Sequence, residues 1–138
     1  MSENRKEVKI CEIEKYLGEL ESVFPLSIEK YKLDFKIKDV CERHFEKIVE
    51  AVVDLAFSFI KEKKFKMPEE DEQSFDILKN AGVISEELAV KLKQAKGMRN
   101  IIAQEYGKID DELIFHAVTE ELIPDIQEFI SLIEKSKT

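Results

Sequence analysis

The chain has 138 residues, of which 43% are hydrophobic and 38% charged, and its formal net charge is −8. That length suits one domain with a core that needs no cross-links. The acidic balance excludes a general nucleic-acid binder, whose surface must be basic.

The opening MSENRKEVK is polar and charged, unlike a secretory signal, so a cytoplasmic protein is expected. A first helix is predicted from about Glu7 to Glu21, where Ile10, Ile13, Leu17 and Leu20 form one helical stripe. A loop follows around Phe24-Pro25-Leu26. The longest helix is predicted over about Phe35 to Lys63. Cys41, Phe45, Ile48, Val52, Leu55 and Phe59 keep helical spacing there, and Val49, Val53, Ala56 and Ile60 widen the apolar face. So wide a face belongs at the centre of a bundle. Its most apolar stretch, Ala51 to Ile60, is interrupted by Asp54 and too short to span a bilayer, so no membrane partner is expected. The two cysteines, Cys11 and Cys41, are read as buried, reduced thiols.

Met67-Pro68 and the acids after it predict an exposed connection. A short helix over about Glu72 to Asn80 should end on Gly82 in a left-handed cap. Ser85 should cap the next helix, with Glu86 and Glu87 in its first turn, and that helix should run to about Glu105. Gly107 ends it. Asp110 then caps a last helix to about Lys135, bent near its middle by Pro124. The expected fold is all-α: one domain over residues 1–138, an up-and-down bundle of four to five helices.

From Lys91 to Lys108 five cations (Lys91, Lys93, Lys96, Arg99 and Lys108) face one acid, Glu105, so the segment is locally +4. Such a strip can admit a phosphate backbone where the rest of the surface repels it. Within it, Gly97-Met98-Arg99-Asn100-Ile101-Ile102-Ala103-Gln104-Glu105-Tyr106-Gly107-Lys108-Ile109-Asp110 resembles the signature of the HepT-like family of the HEPN superfamily. In that signature Arg-Asn is followed by three residues, a histidine, any residue and a tyrosine. Phe75 to Ile84 is similar to the family's short helix and cap, and Val40 to Leu55 to its central helix. Leu122-Ile123-Pro124-Asp125-Ile126 with Phe129 is similar to its bent final helix. The likeness runs from about Asp34 to Ile133 and leaves the first helix undistinguished.

The resemblance implies a HEPN-like homodimer with an RNA-cleaving cleft between protomers. It also implies a cognate MntA-type nucleotidyltransferase antitoxin that adds AMP to the motif tyrosine. Carried across, Arg99 takes the catalytic arginine's place, Asn100 the adjacent polar position, and Tyr106 that of the AMP acceptor. Gln104 stands where the histidine belongs, and Lys96 and Lys108 are candidate RNA contacts. The implied function is therefore the toxin of a type VII toxin–antitoxin system, a metal-independent ribonuclease needing no cofactor.

Such cleavage must deprotonate a 2′-hydroxyl, stabilise an anionic phosphate and protonate a leaving oxygen. Arginine suits the phosphate through its planar charged fork, and histidine suits the proton steps. Glutamine hydrogen-bonds but exchanges no proton at neutral pH. At ~100° per residue, Asn100 and Gln104 share a helix face, while Arg99 lies about 140° round from Gln104. Spacing alone therefore builds no site. His44 and His116 are the histidines available as substitutes, and His116 follows the motif more closely. Gln104 also supports a second reading, a catalytically impaired HEPN protein that acts as a dimeric nucleotidyltransferase-binding partner. A third, a carboxylate-bridged metal bundle on Glu46, Glu50 and Asp54, lacks the Glu-x-x-His pairs such sites use. Those acids read as a solvated edge, and the Lys61–Lys66 run as a charged helix end. No Gly-rich phosphate loop, HExxH or CxxC pair occurs.

Overall fold

The computed structural model describes residues 2–24, 27–105 and 110–136, with the side chains of residues 2–4 and of Glu105 excepted. Its elements are α1 (Ser2–Ser22), α2 (Ile28–Leu33), α3 (Phe35–Glu62), α4 (Asp71–Asn80), α5 (Glu86–Glu105), α6 (Asp111–His116), a π turn (Ala117–Glu121) and α7 (Leu122–Lys135). The long helices make the up-and-down bundle, and no strand occurs among the described residues. α3 is the central member: α1, α4 and α5 lie against it, and α7 closes on α5.

The apolar stripes explain this order. Ile10, Ile13, Leu17 and Leu20 of α1 are all buried, as are Phe45, Ile48, Val52, Leu55 and Phe59 of α3. Each such side chain removed from water contributes roughly 1.5–3 kcal/mol before entropy is counted. Phe129 of α7 meets Phe75 of α4 edge-on, with ring centroids 6.2 Å apart, which locks the two ends of the chain's second half together. Cys11 departs from expectation. It is exposed, because it sits one residue past Ile10 and so falls off the buried stripe. Cys41 is buried, and burial pushes its thiol up to about 11.

The caps at Gly82, Ser85 and Asp110 form as expected, and Asp34 adds one that was not predicted. Asp34 accepts from the backbone N–H groups of Lys36 and Ile37 at 3.0 and 3.2 Å and starts α3. Gly82 has φ +79, and the N–H of Val83 returns to the carbonyl of Leu78 at 2.9 Å, closing α4. Ser85 Oγ accepts from Leu88 N–H at 3.0 Å, and Asp110 Oδ1 from Glu112 N–H at 2.9 Å. Two elements differ from the sequence reading. α2, capped by Ser27, has no counterpart among the predicted helices, since six residues are too few to show a helical period. The last helix, expected to bend at Pro124, carries a π turn between two α-helical segments. Pro124 has no N–H, and its ring crowds the carbonyl four residues back, so the strain is taken up just upstream in a wider turn. There Leu122 N–H bonds to the carbonyl of Ala117.

Tyr31 of α2 is fully buried against Phe115, with ring centroids 5.8 Å apart. Its hydroxyl finds no hydrogen-bond partner among the described residues. Burial pushes that phenol's pKa far above its ordinary value. An unsatisfied buried hydroxyl is a cost without return. Tyr31→Phe is therefore expected to stabilise the fold by about 1 kcal/mol, which is roughly 3–5 °C in Tm. A thermal melt checks this, and a lower Tm would mean that the hydroxyl has a partner after all.

Candidate functional site

α5 brings Lys96, Arg99, Asn100 and Gln104 to the bundle surface in different ways. Arg99 leans back against α3, where its guanidinium pairs with the carboxylate of Glu50. Its Nη1 also lies 3.4 Å from Asn100 Oδ1. Its Nε is buried and has no partner among the described residues. Lys96 is only 7% exposed and reaches Asn100 Oδ1 at 2.8 Å and Asp71 of α4 at 3.3 Å. The Asn100 oxygen is thus held by two cations, which leaves its NH₂ as the group it can offer a substrate. Gln104 is exposed and forms no side-chain hydrogen bond among the described residues. Tyr106 and Lys108 lie outside the described residues.

Of these side chains, Lys96 and Arg99 border an open groove of about 620 Å³, and Asn100 and Gln104 are not among the residues that line it. Arg5 and Lys9 of α1 line one side, Glu50, Asp54 and Phe57 of α3 the floor, and Asp71, Lys96 and Arg99 the other side. α1, which carries no part of the motif, therefore supplies half of the groove's cations. No periodicity signals that, because Arg5 and Lys9 read as ordinary surface charges.

The basic strip is not a free patch of charge. Lys91 pairs with Glu87 at 3.4 Å and lies 3.8 Å from Asp125 of α7, whose carboxylate raises the lysine's pKa. Lys93 holds Asp76 at 3.0 Å, Lys96 holds Asp71, and Arg99 holds Glu50. Every described cation of the strip thus has an acid beside it. An approaching phosphate must displace a carboxylate rather than find an open field. Glu50 and Asp54 are exposed, as a solvated edge should be, yet Glu50 is also tied to the motif arginine, and Asp54 lies 4.0 Å from Lys9.

Neither histidine borders the groove. Nε2 of His44 meets Glu19 at 2.9 Å, and its Nδ1 lies 3.2 Å from the carbonyl of Val40. The hydrogen bond from His44 lowers the Glu19 carboxyl's pKa. His116 is held by Glu120 and lies 3.6 Å from Glu121, both in the π turn that follows it. The described residues contain no group of three or more acids, histidines or cysteines placed to hold a metal. None of the described helices is long and apolar enough to cross a membrane.

An arginine with an adjacent asparagine, set over a groove of mixed charge, can bind a phosphodiester; comparison with known proteins gives this arrangement a family. The model of the "Ribonuclease HepT-like" family matches residues 13–133. The chain belongs to the HepT-like ribonuclease family. The match begins in α1, earlier than the motif-based likeness reached. The mRNA nuclease HepT of Shewanella oneidensis is 25% identical over 126 residues, which cover 91% of this chain and 93% of that protein. The tRNA nuclease HepT of Aphanizomenon flos-aquae is 25% identical over 113 residues, covering 82% and 77% respectively. In fold, this HepT-like chain superposes on the tri-AMPylated HEPN toxin of Shewanella oneidensis, solved in complex with MNT antitoxin. The TM-score is 0.87 at 24% identity, over 95% of this chain and 97% of that one.

Proposed function

We propose that this HepT-like chain is the toxin of a type VII toxin–antitoxin pair: a metal-independent endoribonuclease silenced when a cognate MntA-type nucleotidyltransferase places AMP on Tyr106. It works in the cytoplasm as a homodimer, with Arg99 and Asn100 of each protomer binding the scissile phosphate. The placement of Arg99 carries the reading. The motif arginine stands half-buried on an open groove, its outer nitrogens engaged by groups that a phosphate can replace. Lys96 holds Asn100 in place from beneath, and Lys108 is proposed as an outer RNA contact.

The regulatory half draws on the similar Shewanella toxin, which was solved AMPylated and bound to its antitoxin. AMP on a phenol two residues beyond Gln104 adds bulk and a phosphate charge where an RNA backbone must pass. Like-charge repulsion and steric exclusion then block binding. The second reading, an impaired dimeric partner of the nucleotidyltransferase, is favoured by one observation: an exposed Gln104 at the histidine position, with no proton chemistry and no partner among the described residues.

The test couples modification to activity. After incubation with ATP and the cognate nucleotidyltransferase, mass spectrometry is expected to find AMP on Tyr106, and RNA cleavage to fall at least about tenfold. Tyr106→Phe is expected to keep cutting after the same treatment. If AMP appears elsewhere and Tyr106 stays bare, the acceptor assignment is wrong.

A further inference from the structure

The site lacks the histidine that would move protons, yet a carboxylate touches its arginine. We infer that Glu50 is the general base of the cleavage site, taking the proton of the ribose 2′-hydroxyl beside Arg99; this rests on the ribonuclease reading above. Glu50 comes from α3 and Arg99 from α5, so helix packing sets the pair across 49 positions of sequence. The Glu50 side chain is 55% exposed on the groove, within reach of a bound strand. The groups around it are Arg5 and Lys9 from α1, Asp54 on its own helix, Asp71 from α4, and Lys96 and Arg99 from α5. The other two acids are committed elsewhere, Asp54 near Lys9 and Asp71 on Lys96. Among the described acids, Glu50 alone meets the guanidinium. His44 and His116 are held by Glu19 and Glu120 away from the groove.

The chemistry closes on these groups. A phosphate entering the groove takes over the outer nitrogens of the Arg99 guanidinium and releases Glu50 to the neighbouring 2′-hydroxyl. The carboxylate accepts that proton as the 2′ oxygen forms its bond to phosphorus. The P–O5′ bond breaks, its electron pair stays on the 5′ oxygen, and that oxygen takes a proton from water. The hydroxide left behind is neutralised by the proton on Glu50, which restores the carboxylate. The products are a 2′,3′-cyclic phosphate and a 5′-hydroxyl, and no other reactant is consumed.

The experiment uses the full chain and a short single-stranded RNA with chelator present. It measures single-turnover rates against pH for wild type, Glu50→Gln, Glu50→Asp and Arg99→Ala. Glu50→Gln is expected to be about 10²-fold slower or more, to bind the RNA no more weakly, and to lose the acid-side fall in rate shown by wild type. Glu50→Asp should keep that fall with a reduced rate, which separates base catalysis from a packing role. A Glu50→Gln that cuts as fast as wild type or faster, while Arg99→Ala is inactive, overturns the inference and leaves the nuclease reading standing. If wild type itself leaves the RNA intact, both fall together.

Discussion

Replacing Gln104 with histidine is expected to raise RNA cleavage by roughly 10²–10⁴-fold at neutral pH, the range that positioned acid–base groups supply. Position 104 lies one helical turn beyond Asn100 on the same face of α5, exposed and untied to any described neighbour. The substitution therefore disturbs no packing, and its effect on stability should stay within about 0.5 kcal/mol. An imidazole there titrates near working pH, whereas an amide does not. With Glu50 receiving the 2′ proton, the new imidazolium supplies the leaving oxygen. Rate against pH should then become bell-shaped. An unchanged rate would mean that position 104 does not reach the scissile bond, and the impaired-partner reading would gain.

Arg99→Ala is expected to lower cleavage by at least about 10²–10³-fold, the cost of removing one preorganised charge from a developing anion. The fold should barely notice. The Arg99–Glu50 pair is partly open to solvent, and such pairs contribute about 0–1 kcal/mol. The orphaned Nε is removed with the side chain, which offsets part of even that. Arg99→Lys should recover little, because an ammonium cannot present the two-pronged donor set of a guanidinium. Matching melting curves with divergent rates would locate the loss in chemistry. A large fall in Tm would instead make the arginine a structural tie.

Much of this arrangement is legible in the residues. The stripes of α1 and α3, the cap at Ser85 and the turn at Gly82 follow from local spacing, and the Arg99-Asn100 pair from the motif's resemblance to the HepT-like signature. What spacing misses is set by distance along the chain. Lys93 meets Asp76 across 17 positions and Arg99 meets Glu50 across 49, so the strip that reads as +4 is compensated by acids that no local window contains. Cys11 shows how narrow a stripe is, since one residue's shift moved it from core to solvent. Pro124 predicted a bend in the last helix but not the π turn, which lies upstream of the proline. α2 was too short for any period to emerge. The groove's α1 wall was invisible for another reason: Arg5 and Lys9 gain meaning only when α1 packs beside α3.

The most direct measurement is end-group analysis of RNA incubated with the purified full chain under chelating conditions, beside an Arg99→Ala preparation made identically. Arginine-centred cleavage predicts fragments that carry 2′,3′-cyclic phosphate and 5′-hydroxyl ends, formed by the wild-type protein and lost with the guanidinium. Intact RNA in both samples, or equal cutting in both, would contradict it.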